Sequence, residues 1–295
     1  MLFNFYMGGY FFMNLKKIFA VLIMCVLTTA IFTGCGEDKK AEAPAPSEFK
    51  IGMISHMNAS EKDFNNFIKK VDETFGFQMK NYDPVFFDNF NSMLMALETG
   101  KISAISTYRC VANYIVANNP NMEIADKDTL EFIDAFCFAV RAENKELLDA
   151  TNKAIREMRD DGTLDKLIQE YISDFSKDKK IPAIEIENIP GAETVKVAVT
   201  GDLPPLDYVD SEGKAAGFNT AVLSELGKRI GKNIELVQVE SGSRASALTS
   251  GRADMSFWAI VPVSEIIPKD ADRPDGVELS APYYRGKIVH VKMKK

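Results

Sequence analysis

Histidine, cysteine and tryptophan are scarce in this chain of 295 residues, which has two histidines, four cysteines and one tryptophan. The histidines, His56 and His290, stand far apart, and no Cys/His spacing of a metal site occurs, so no metal is expected. A nucleophile elbow and a phosphate-cradling glycine loop are missing too, which leaves no cofactor expected and little support for an enzyme. The chain also lacks a long basic run: 35 Lys and Arg stand against 42 Asp and Glu, a net charge of −7, which argues against nucleic acid as a partner. Carboxylates are plentiful, so a catalytic acid pair stays open.

One long apolar run is present, at residues 18–32, preceded by Lys16 and Lys17 and followed by Thr33-Gly34-Cys35. It is too short to span a bilayer comfortably and carries signal-peptide flanks, so residues 1–35 read as a removable leader whose true start is Met13. The plain alternative is an uncleaved anchor, and both place the body outside the cytoplasmic membrane. Thr33-Gly34-Cys35 resembles a lipobox, which would make Cys35 the lipidated N-terminus of an extracytoplasmic protein held to the membrane by lipid. Phe32 departs from the Leu usual in that motif. Residues 36–47, charged and rich in Ala and Pro, read as a flexible tether. Cys110 and Cys137 both sit in apolar runs and read as buried free thiols, although the compartment would permit a disulfide.

The densest stretch of the body is 195–226. Val195, Val197 and Val199 alternate with Lys196 and Ala198 as in a strand, and Gly201 with Pro204-Pro205 ends the run. Phe218, Val222, Leu223, Leu226 and Ile230 then fall at helical spacing, with Gly231 as the stop. A strand at 234–239, a helix at 244–249 and a strand at 255–261 complete a βαβαβ order, which implies a parallel sheet with ligands at the carboxyl ends of its strands.

The earlier half does not repeat the later one: it lacks the Pro-Pro turn, and it alone carries Asp161-Gly162-Thr163. A strand at 49–55 leads to a capping box at 60–63 and a helix whose apolar face is Phe64, Phe67, Ile68, Val71 and Phe75. His56, Asn58 and Ser60 would lie at its N-terminus, where free N–H groups favour an anionic group. Ordinary capping by Ser60 alone is the plain alternative. Strands follow at 84–87, 102–106 and 136–140, with helices capped near Asn89, carrying Val111, Tyr114 and Ile115, and at 145–158. Asp161-Gly162-Thr163 breaks the last of these before a final amphipathic helix.

Four motifs of the later half, Asp-Leu-Pro-Pro-Leu, Gly-Lys-Ala-Ala-Gly-Phe, Ala-Leu-Thr-Ser-Gly-Arg-Ala-Asp and Leu-Ser-Ala-Pro-Tyr-Tyr, resemble the first lobe of the bacterial extracellular solute-binding proteins of family 3, the amino-acid-binding type. The earlier half is similar to that family's second lobe and closing helices, through Ala96–Ile102, Val111-Ala112-Asn113-Tyr114, Phe138-Ala139-Val140-Arg141 and Glu157–Leu164. The resemblance implies a two-lobed α/β fold of the periplasmic-binding-protein type II, each lobe a mostly parallel sheet flanked by helices. It also implies a ligand cleft between the lobes and the permease of an ABC importer as partner.

Because the lobes stand in reversed order, residues 48–295 are expected to be one circularly permuted module. Residues 48–175 would supply the second lobe and closing helices, 176–194 a linker, and 195–295 the first lobe. The strand at 287–291 should then run beside 136–140. A pair of degenerate fragments completed by dimerisation is the rival.

The family's usual amino-acid contacts are mostly replaced. Its Thr-x-x-x-Arg gives way to Val261–Ile267, and its second-lobe Asp aligns with Tyr108. Trp258 and Tyr108 are instead expected to face each other across the cleft, able to hold a planar or cationic ligand, with packing in the core as the plain alternative for Trp258. Arg244 sits at a helix start, against the dipole, which suggests an anionic partner, with a solvated surface arginine as the plain alternative. Thr200, Leu203 and Ser243 complete the candidate ligand-binding set. The expected role is capture of a small polar or aromatic molecule. A receptor subunit for a membrane sensor and a lyase or dehydratase derived from the fold are the alternatives.

Overall fold

The computed structural model describes residues 49–58, 82–125, 132–174, 183–263 and 269–294, with positions 66, 69, 70, 73 and 267 besides. Cys35, Ser60 and most of the helix expected at 60–75 lie outside the described residues. The described body belongs to one unit, Pro46–Lys295.

The earlier half runs β1 (Phe49–Ile54), β2 (Tyr82–Phe87), α1 (Phe90–Glu98), β3 (Ala104–Tyr108), α2 (Arg109–Asn118), β4 (Met122–Ala125), β5 (Ile133–Arg141), α3 (Lys145–Asp160) and α4 (Thr163–Ile168) with a π-helical turn after it. The later half runs β6 (Thr194–Val199), β7 (Asp202–Leu203), β8 (Asp207–Val209), β9 (Ala215–Ala216), α5 (Phe218–Ile230), β10 (Asn233–Gln238), α6 (Arg244–Thr249), β11 (Met255–Pro262), β12 (Val277–Leu279) and β13 (Tyr284–Met293). Local chemistry explains the helix starts. The Asn89 side chain accepts from Ser92 N at 3.1 Å to open α1, and Asn144 accepts from Leu147 N at 3.1 Å to open α3. Among the described residues no helix is long and apolar enough to cross a membrane.

Strands pair in the order β10-β6-β11-β5-β13-β3-β1-β2, with β12 on β5 and β4 on β13. Two parallel sets stand out, β10/β6/β11 and β2/β1/β3. They build the two lobes of a type II binding-protein fold. Lobe A holds β1 to β4, and lobe B holds β5, β6 and β10 to β12. Strand β13 serves both: Tyr284–Lys287 pair antiparallel with Phe136–Ile133 of β5, and from Ile288 onward β13 pairs with β3 and β4. The strand at 287–291 therefore does not run beside 136–140 as expected: only Lys287 reaches β5, opposite Ile133, and Ile288–Val291 lie on β3, because β13 leaves lobe B halfway along its length.

Each lobe has its own packing against α-helices. In lobe A, Met93 and Leu97 of α1 and Ile115 of α2 are fully buried with Ile105 of β3. In lobe B, Phe218, Val222, Leu223 and Leu226 of α5 are buried to the same degree, and each such side chain contributes about 1.5–3 kcal/mol. The described part of the expected linker is not loose. Ile184 N donates to Ala215 O, and the Asn233 side chain accepts from Ile189 N at 2.7 Å and donates to Ile189 O and Ala192 O.

The start of α5 is seated on the turn before it, with Phe218 N on Pro205 O and Asn219 N on Leu206 O. Gly217 makes this close approach possible at φ +106, since a Cβ there would stand 2.6 Å from Leu206 O. Gly217→Ala is expected to lower stability by about 3 kcal/mol, combining left-handed strain and backbone overlap. Urea unfolding of the two chains measures it.

Candidate functional site

The carboxyl ends of the parallel strands of both lobes face each other, and polar contacts join them. Asp272 of lobe B accepts at Oδ1 from Met57 N (2.6 Å) and Asn58 N (3.0 Å), just past β1. Asp202 Oδ2, in the first residue of β7, accepts from Phe90 N at the start of α1 (2.8 Å). In the opposite sense, Asp88 of lobe A accepts from Gly242 N at Oδ1 (3.1 Å) and from Ser241 N at its main-chain oxygen (3.1 Å). Ser241 Oγ donates to Ser55 O at 2.9 Å. Each lobe thus presents a carboxylate to main-chain amides of the other, charge-assisted bonds that contribute about 1.5–3 kcal/mol apiece.

Arg244 lies at the centre, 1% exposed. Nε donates to Ser241 O (3.0 Å), Nη1 to Trp258 O (2.7 Å) and Phe257 O (3.4 Å), and Nη2 to Ser55 O (3.3 Å) in lobe A. Its guanidinium carbon stands 4.8 Å from the centre of the Trp258 ring. The pairing of β11 with β5 breaks between Ser256 and Ala259, and Trp258 takes φ +57. That bulge turns the carbonyls of Phe257 and Trp258 toward Arg244. The solvated arginine is therefore overturned: its side chain turns inward because the bulge supplies acceptors that the helix start lacks. Burial lowers its pKa, and the nearby Asp272 acts in the opposite direction.

Trp258 and Tyr108 do come together, but edge to face, with ring centres 6.0 Å apart at 77°. Phe136 joins both, at 6.4 Å from Trp258 and 4.6 Å from Tyr108. No slot for a planar ligand separates the two rings, and the cation over Trp258 is Arg244. Tyr108 Oη donates to Asp134 Oδ2 at 2.9 Å. Burial raises the Tyr108 phenol well above its ordinary range, and Asp134 adds to the effect. Asp134 is raised by its own burial, against the Tyr108 bond and the charge of His56. The Trp258 indole N–H is near enough to the Tyr108 oxygen to favour the phenolate slightly, yet it is buried and meets no acceptor at hydrogen-bond geometry among the described residues.

The other candidates are dispersed around this centre. His56 is half-buried beside Met57, and Asn58 is exposed, its side chain donating to Ala271 O at 3.4 Å. Thr200 N and Oγ1 both donate to Asp207 Oδ2 at 3.0 Å, so Thr200 pins its own turn. Leu203 is buried within the same turn, and Ser243 carries the main-chain oxygen that accepts from Ser246 Oγ. Sequence reasoning missed Asp272, Asp134, Asp88 and Asp202. Asp88 carried a signal, as an acid between a strand end and a helix start, whereas Asp202, Asp272 and Asp134 carried none. Cys110 and Cys137 are free and buried, and burial pushes both thiols up to about 12. Among the described residues no cluster of His, Cys, Asp and Glu could hold a metal.

The family model of the bacterial extracellular solute-binding proteins, family 3, matches residues 60–174 and 195–295. A probable histidine-binding protein of Campylobacter jejuni is 29% identical over 101 residues, 34% of this chain and 36% of that protein, so the match spans about a third of the relative's length. Among solved structures, the ligand-binding component of an ABC-type import system from Staphylococcus aureus is similar with a TM-score of 0.42 at 11% identity, over 84% of this chain and 66% of that one. The GluR0 ligand-binding core from Nostoc punctiforme, in complex with L-glutamate, has a TM-score of 0.37 at 10% identity, over 84% of this chain and 85% of that one.

Asp207 generates a pH dependence. It is 2% exposed, and burial outweighs its donors Gly201 N and Thr200, raising its pKa to about 6 from 3.8. Between those values the folded chain holds a proton that the unfolded chain has released, so stability falls as pH rises from about 4 to about 6, by roughly 3 kcal/mol for this group. Asp207→Asn keeps an acceptor for the turn, and melting temperature against pH should show a flatter slope across that window than in the wild-type chain.

Proposed function

Because the chain belongs to the bacterial extracellular solute-binding proteins, family 3, we propose that it captures a small polar or aromatic, amino-acid-like molecule between its lobes. It then presents that molecule to the permease of an ABC importer. The observation that carries this reading is the centre where the lobes meet: a fully buried Arg244 stacked on Trp258, whose indole N–H has no aligned acceptor, beside the Tyr108–Asp134 pair. A cation, a donor and a carboxylate within one aromatic surround suit a small solute bearing both charges. The histidine-binding relative makes amino acids the first class to test. Hinge motion about β5 and β13 would couple capture to a shape that the permease reads.

In this reading the leader is removed just ahead of Cys35, whose lipid holds the protein to the outer face of the membrane, and residues 36–47 tether the body. Residues 48–295 act as one circularly permuted module. In support, the end of β13 and the start of β1 flank the same strand, Val291 opposite Ile105 and Ile51 opposite Ala104, where a short connection would join them in the family's order. No catalytic step is proposed.

A thermal-shift screen of the full chain against amino acids, nucleosides, aromatic acids and small peptides tests the reading. A solute present at a hundredfold excess over its Kd should add roughly 2.7 kcal/mol of stability. The shift should vanish in Trp258→Ala and Tyr108→Ala. The absence of a shift with every class would count against capture.

A further inference from the structure

Asp272 is an unusual partner for the amides of Met57 and Asn58. A capping carboxylate ordinarily comes from within a few residues of the amides that it meets, whereas this one arrives from 215 and 214 positions away, across the cleft. Its bonds to the opposite lobe, at 2.6 and 3.0 Å, are shorter than the 3.4 Å bond that Ile260 N makes to Oδ2 within its own lobe. The side chain is 1% exposed. Its charge acts on the buried Arg244, whose direct partners among the described residues are carbonyl oxygens and the Trp258 ring. The carboxylate therefore sits at main-chain amides of the opposite lobe and within electrostatic reach of a buried guanidinium. That is the environment a free carboxylate would choose.

We propose that Asp272 is a built-in occupant of the cleft's anion subsite. Its carboxylate stands where the acidic group of a small carboxylate solute would stand, and it holds the lobes together until such a solute displaces it. The choice of ligand class rests on the capture reading, but the occupancy is testable with no solute. A tethered group competes at an effective concentration of the order of millimolar, so a free carboxylate meets that competition in the wild-type chain and is relieved of it once Asp272 is removed. Apparent affinity for any solute is lowered by the fraction of chains that Asp272 keeps shut.

Trp258 is the sole tryptophan, so its emission reports on the cleft in the full chain. Asp272→Ala should shift that emission to longer wavelength as the lobes part. Sodium acetate should reverse the shift along a saturable curve, sodium chloride at equal ionic strength should not, and the wild-type chain should answer neither. A folded Asp272→Ala chain, by circular dichroism, that keeps wild-type emission or ignores acetate overturns the proposal. If that variant fails to fold, Asp272→Asn decides, since it keeps the shape and one acceptor: a smaller saturable acetate response supports the proposal, and none overturns it. A wild-type chain that binds a solute in the screen, with no acetate response in either variant, removes this inference and leaves capture standing. An acetate response with no solute bound by any variant does the reverse.

Discussion

The antiparallel pair formed by β5 and β13 is the constraint from which the rest follows. Strand β13 gives its first residues to β5 and its last to β3 and β4, and β5 also carries β11 and β12. The aromatic centre is built where these strands cross, from Tyr108 at the end of β3, Phe136 in β5 and Trp258 in β11. Gly286 in β13 makes room for it: a Cβ there would stand 2.8 Å from the Tyr108 ring and 3.2 Å from the Phe136 ring. A side chain at that position would push both rings off the hinge, and the cleft would lose its floor.

Upon that floor the lobes are joined by polar contacts as well as apolar ones, with the Tyr108 ring against Phe136 and Trp258 and with Met57 among Ala139, Leu248 and Val277. The polar bonds add less in net terms than apolar burial of equal area, because water offers the same hydrogen bonds to the separated lobes. Arg244 follows the same logic. Its burial is costly, and the carbonyls released by the β11 bulge, together with the indole ring, offset that cost.

Much of the fold was legible because it is written locally. The helix at Arg244–Thr249, the Asn89 cap and the alternation at 195–199 depend on neighbours within a few residues. Strand β4 was not foreseen, since four residues are too few for alternation to register. The site was less legible. Trp258 and Tyr108 were identified as a pair, but their edge-to-face contact, the inward turn of Arg244 and the arrival of Asp272 depend on a bulge and on residues more than two hundred positions apart. Asp134 was hidden for a similar reason: within an apolar strand nothing marks it as the acceptor of a tyrosine from another element.

The two ends of the described body both belong to lobe A, and they flank one strand. Strand β1 runs parallel to β3 and β13 antiparallel to it, so the start of one and the finish of the other lie about 10 Å apart, two strand spacings, at the same end of the sheet. Tension between those ends would be borne by β3 and its two ladders. Lobe B and the cleft would lie outside the load path, mechanically insulated from a pull on the chain.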